Sequence, residues 1–122
     1  MSTETFEQQL IGNISTAILV VDAGLELLFV NPAGEILLGL SANKLLGQKL
    51  PGLFAEDQGL LSQLREMHNV AQQCVVREVE LRVVPNDKSI VVDCIATVMH
   101  QDRGANQLII ELTEVNRLLR MV

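Results

Sequence analysis

Ala17-Ile18-Leu19-Val20-Val21-Asp22-Ala23-Gly24-Leu25-Glu26-Leu27-Leu28-Phe29-Val30-Asn31-Pro32-Ala33 decides the fold of this 122-residue chain. Two apolar runs, residues 17–21 and 25–30, flank Asp22-Ala23-Gly24, which is turn chemistry. Together they predict a β-hairpin. Asn31 then offers a side-chain oxygen to cap a helix, and Pro32 at the first helical position gives up no needed N–H. The helix should run to Leu38, where Gly39 can stop it.

Outward from this unit, residues 5–14 place Phe6, Leu10, Ile11 and Ile14 on one helical face, with Thr5 and Gln8 as a capping box. Residues 41–54 are broken by Gly47, Pro51 and Gly52 and allow only short helical turns. Asp57 opens a longer helix with a stripe of Leu60, Leu61, Leu64, Met67 and Ala71. From Val75 the period becomes two: Val75, Val79, Leu81 and Val83 share one face, Glu78, Glu80 and Arg82 the other. Pro85-Asn86-Asp87-Lys88 is a turn. Residues 89–99 form a strand apolar on both faces, Ile90, Val92, Cys94, Ala96 and Val98 against Val91, Ile95 and Met99. After a turn at residues 103–106 come a last strand, 108–112, and a return to helical spacing from Thr113 to Val122.

This order predicts an α+β fold with one five-stranded antiparallel sheet. Helices cover one face. The N-terminal helix or a second subunit covers the other, because the strand at 89–99 is apolar on both sides.

Composition narrows the function. A net charge of −6 and only three Phe, with no Trp or Tyr, argue against nucleic acid. No apolar run reaches the roughly 18 residues of a membrane span, and the polar, acidic start is no signal peptide. Cys74 and Cys94 are too few for a disulfide framework and fit no metal-ligand spacing, so reduced thiols in a cytoplasmic protein are expected. No nucleophile–base pair is visible, so the fragment is not expected to be an enzyme. The residues from Arg117 to Val122 stop within an apolar helical pattern without a C-cap, as in a piece of a longer protein.

The element order, with Asn31-Pro32-Ala33 after the second strand, resembles the PAS family over residues 16–114. PAS domains also end their last strand with Asp-Ile/Val-Thr; here the motif is Glu111-Leu112-Thr113, with Glu in place of Asp. Residues 15–22 directly after a short helix, and Leu46-Gly47-Gln48-Lys49-Leu50-Pro51, resemble the N-terminal domain of the NtrB family of nitrogen-regulation histidine kinase/phosphatases. The resemblance implies an N-terminal helix at 1–14, a PAS domain at 15–114, and the start of a coiled-coil linker at 115–122. It implies a homodimer, with no cofactor in this region. ATP and Mg²⁺ would act only in a kinase region beyond it, with an NtrC-type response regulator and a PII protein as partners of the whole protein. The alternative is a PAS domain of another sensor or transcription regulator with a small ligand in its core.

Candidate residues follow. Phe6, Leu10, Ile14, Val91, Ile95 and Met99 are the expected dimer interface. Glu111, Thr113, Val115 and Leu119 form the expected signal junction, with Leu112, Val115, Leu119 and Val122 spaced as a coiled-coil seam. A helix packed on its own sheet would show the same spacing. Phe29, Phe54 and Arg77 could line a pocket, although ordinary core packing is the expected role of the two Phe. By alternation Arg77 falls on an apolar face, where it needs a partner or ligand; a later strand start or a bulge would leave it in water instead. Asp22 lacks the second acidic residue and the βαβ order of a phosphoacceptor site and reads as a turn residue. His68 could ligate a haem iron or simply be a helix residue. Neither His68 nor His100 has the acidic neighbour of a phosphoaccepting histidine. Cys74 and Cys94 lack the context of a flavin-reactive thiol and read as structural.

Overall fold

A computed structural model describes residues 16–56, 58–70 and 73–115, the side chains of 68–70 excepted. The predicted helix at 5–14 and the linker from 116 onward lie outside the described residues. The elements are β1 (Ala17–Val21), β2 (Leu27–Val30), α1 (Pro32–Leu38), α2 (Ala42–Leu45), α3 (Leu50–Leu53), β3 (Phe54–Ala55), α4 (Leu60–Val70), β4 (Gln73–Val83), β5 (Lys88–Met99) and β6 (Gln107–Glu114). The sheet is antiparallel, in the order β2-β1-β6-β5-β4-β3. It has six strands rather than the expected five. The extra strand, β3, is only two residues long and too short to show any periodicity.

Asn31 ties the first three elements together. It is fully buried. Its Oδ1 accepts from the backbone N–H of Gly34 at 2.8 Å, as a helix cap, and from that of Ile18 at 2.9 Å. Its Nδ2 donates to the Thr16 carbonyl at 2.8 Å. The cap of α1 is therefore also a side-chain bridge to β1. Gly34 is required by this closeness, since a Cβ there would stand 2.6 Å from Val30 Cγ2. At its other end α1 stops at Gly39, whose φ of 73° suits glycine. The last carbonyls are taken by the β4–β5 hairpin: Asn86 Nδ2 donates to Leu38 and Gly39, and Lys88 Nζ to Leu37 at 2.9 Å. A cation at a helix C-terminus also complements its dipole.

The connection from α1 to β3 guards the free edge of β2. Leu27 N–H donates to Gln48 O, Gly47 N–H to Leu27 O, and Leu50 N–H to Leu25 O. Pairing an edge in this way blocks strand addition there. Helix α4 starts where Glu56 Oε1 accepts from Leu60 N–H at 2.7 Å. Leu60, Leu64 and Met67 enter the core; Leu61 is only half-buried. Burying each of the three contributes about 1.5–3 kcal/mol.

The core lies between one sheet face and the helices. Leu19, Val21, Leu81, Val92, Cys94, Ala96, Leu108 and Ile110 point into it. Replacing Asn31 with Ala leaves the Ile18 and Gly34 N–H groups buried without their acceptor. Unfolding in urea should show a loss of about 3 kcal/mol. Asn31→Asp keeps the acceptor but sets a second oxygen against the Thr16 carbonyl in a buried site and should also destabilise. A loss below about 1 kcal/mol for Asn31→Ala would contradict this role.

Candidate functional site

The face of the sheet turned away from the helices carries an apolar patch interrupted by Asp93, Thr97 and Glu111. Cross-strand register sets its rows: Val75, Ile95, Glu111 and Ile18 in one, Thr97, Ile109, Val20 and Phe29 in the next. Val91, Ile95 and Met99 lie on this face, as their alternation in the sequence requires, and all three are half-buried. Val75 is 50% exposed. Phe6, Leu10 and Ile14 lie outside the described residues.

Two bulges set which residues reach this face, and the second corrects an expectation from simple alternation. The first is at Leu28, the extra residue between the pairs Val20–Phe29 and Val21–Leu27. It turns Phe29 outward and leaves Val30 in the core. Phe54 is on the inner face, 4% exposed. The two Phe residues therefore lie on opposite sides of the sheet and share no pocket. The second bulge lies between Val76 and Val79. Glu78 adopts φ 54°, a left-handed conformation that costs a side-chain-bearing residue roughly 1–2 kcal/mol. Asp93 Oδ1 holds it by accepting its N–H at 2.8 Å. The extra residue moves Val75 off the face it would otherwise share with Val79. It also sends Arg77 into water, with its side chain 73% exposed and 3.8 Å from Asp93. Arg77 lines no pocket: without the bulge its guanidinium would enter the apolar core.

The junction at the end of β6 is longer than alternation suggested. Pairing continues to Glu114, opposite Val92, so Thr113 and Glu114 are strand residues rather than the start of a helix. Glu111 is half-buried between Ile18 and Ile95. Thr113 is exposed and opposite Asp93, beside the second bulge. Val115 carries the pattern one step further, its N–H donating to Val91 O at 2.8 Å. Leu112 is 2% exposed in the core, which removes it from the expected coiled-coil seam. Leu119 lies outside the described residues.

Among the described residues the side chains between sheet and helices pack closely. A void of about 10 Å³ remains, lined by Leu19, Phe54, Leu64, Leu81, Cys94 and Ile110 among others. That is at most room for one water. Burial, and secondarily the nearby Cys74, pushes the Cys94 thiol up to about 12. His68 is in α4, but its side chain is not among those described. Among the described residues no cluster of His, Cys, Asp and Glu could hold a metal ion, and no helix is long and apolar enough to cross a membrane.

The PAS-fold family model matches residues 6–114. The chain belongs to the PAS family. Its fold is shared with the PAS domain of nitrogen regulation protein NR(II) from Vibrio parahaemolyticus, at TM-score 0.74 and 23% identity over 92% of this chain and 100% of that one. A PAS domain from a two-component sensor histidine kinase matches at TM-score 0.68 and 18% identity, covering 90% and 94%. The PAS domain of an HTR-like protein from Haloarcula marismortui matches at 0.72 and 16%, covering 89% and 88%. No curated protein sequence matches the chain. It is thus a PAS sensory domain whose structural neighbours include histidine-kinase PAS domains.

The close packing inside this PAS domain has a direct test. At pH 8 a thiol reagent should modify half-exposed Cys74 in the folded protein and reach Cys94 only on unfolding. Because the Cys94 pKa is raised, its linked stability is complete below pH 9.0, the ordinary thiol value, and declines as pH rises toward about 12. Cys94→Ala should flatten that part of the pH profile. Equal reactivity of the two thiols would contradict the packing.

Proposed function

We propose that this PAS domain is the N-terminal sensory and dimerisation module of a cytoplasmic two-component histidine kinase/phosphatase of nitrogen regulation. It pairs with a second copy and passes movement through the end of β6 into a following helix. The observation that carries this reading is the apolar patch on the outer sheet face, centred on Val91, Ile95 and Met99. The long central strand β5 supplies that face and also holds Val115 at the exit. A shift at the paired face is therefore delivered to the first residue after the sheet. The close packing of Leu19, Leu64, Leu81 and Ile110 among the described residues supports pairing rather than a core ligand. The likeness to the NR(II) domain supports the nitrogen-regulation part.

In the whole protein an ATP-dependent kinase region would follow. It would pass phosphate to an NtrC-type response regulator, and a PII protein would act on that region rather than on the PAS domain. The residues after Val122 should contain a helix with His-Glu-x-x-x-Pro, and a different kind of following domain would overturn the kinase reading.

Sedimentation equilibrium of residues 1–122 should show a dimer. Ile95→Glu should weaken it by at least about a hundredfold, or roughly 2.7 kcal/mol, because a charge would be buried at the centre of the contact. The circular dichroism of the variant should be unchanged. A wild-type chain that stays monomeric at hundreds of micromolar would contradict the proposal.

A further inference from the structure

A second apolar feature lies away from the outer face. Helix α1 and the ends of β1 and β6 enclose a groove of about 380 Å³. Ala33, Ile36 and Leu37 form an apolar wall on one side; Thr16, Ala17, Leu112, Thr113 and Glu114 form a mixed wall on the other. Ile36 is 77% exposed, more than any other large apolar residue described. The wall that carries it is rigid: Asn31 fixes the start of α1, and Lys88 and Asn86 hold its last carbonyls. Beside this groove the exposed Ile36 side chain offers a docking segment an apolar contact.

We infer that residues 116–122 of the same chain dock in this groove, with Leu118 and Met121 against Ile36. This rests on the exit helix proposed above and assigns it a second contact. The groove wall ends at Glu114, two residues before this segment begins. Seven residues reach at most about 23 Å, so the segment is tethered beside the groove. A short tether raises its effective concentration to about millimolar.

The chemistry of the segment fits. At helical spacing Leu119 and Val122 form one stripe, which serves the pairing seam. Leu118 and Met121, three apart, form a neighbouring stripe that the seam leaves uncovered. Arg117 and Arg120 bring positive charge to a chain of net −6, and Glu114 stands on the groove wall. The competing segment, residues 1–15, also joins the groove wall, through Thr16, but carries Glu4 and Glu7 and no Lys or Arg, so it meets Glu114 with like charge. Docking of 116–122 braces the exit helix on α1. A displacement of β1 or α1 then reaches the pairing seam directly.

Methyl NMR on the intact 122-residue chain tests this. Nuclear Overhauser contacts are expected from the Ile36 δ1 methyl to Leu118 and Met121 methyls of the same chain. Ile36→Ser should remove them and speed amide exchange in 118–122 at least tenfold, while the Leu19 amide stays protected. Leu118→Ser should do the same from the other side. Contacts from Ile36 to residues 1–15, contacts only to an isotopically distinct second copy, or no contacts would each overturn the inference. Sedimentation of the same sample separates the two claims. A monomer that keeps the Ile36 contacts contradicts pairing but not docking. A dimer without them contradicts docking alone.

Discussion

The side chain of Asn31 is the constraint on which the rest of the structure depends. One buried amide caps α1, accepts from the β1 backbone at Ile18 and donates to the carbonyl of Thr16, just before β1. A buried amide with its donors and acceptor matched fixes a single geometry, because any other leaves polar groups dry and unpaired. β1 is in turn the neighbour of β6, so the strand that leads out of the domain is paired to the strand that this amide fixes on α1. The start and the exit of the domain are therefore one mechanical unit.

This unit was legible in the sequence, because Asn31-Pro32 after an apolar run is local chemistry. So were β1, α1, the long α4 and the two-faced β5. The bulges at Leu28 and Glu78 were not. Alternation assumes constant parity along a strand, and one extra residue reverses the facing of those beyond it. Glu78 gave no warning, since its left-handed backbone is held from β5 by Asp93 rather than by its own side chain. The sequence did mark the place through Arg77, a charge that constant parity would bury. Phe29 was expected in the core because the run 25–30 is apolar throughout, and Leu112 in a helical seam because Thr113 and Glu114 continue a strand whose residues also fit a helical spacing. The groove beside Ile36 had no sequence signal, because its walls come from residues far apart in the chain.

The structure divides the functional surfaces clearly. The inner face of the sheet is committed to packing, with Cys94 and Phe54 closely packed inside. The outer face and the groove beside α1 are left for other surfaces. Both meet at the end of β6, where Asp93, Thr113 and Val115 lie within a few residues of the second bulge. A domain with its interior closely packed and its exit flanked by two apolar surfaces is suited to relaying contact between segments and subunits.

Native-state hydrogen exchange on residues 1–122 tests the central claim most directly, that entry strand, first helix and exit strand move as one. The amides of Ile18, Gly34 and Val115 should exchange only with global unfolding, with the same protection as the core amide of Leu19. Exchange of Ile18 or Val115 by local opening, orders of magnitude faster than Leu19, would show that the two ends of the domain are uncoupled and would contradict the account.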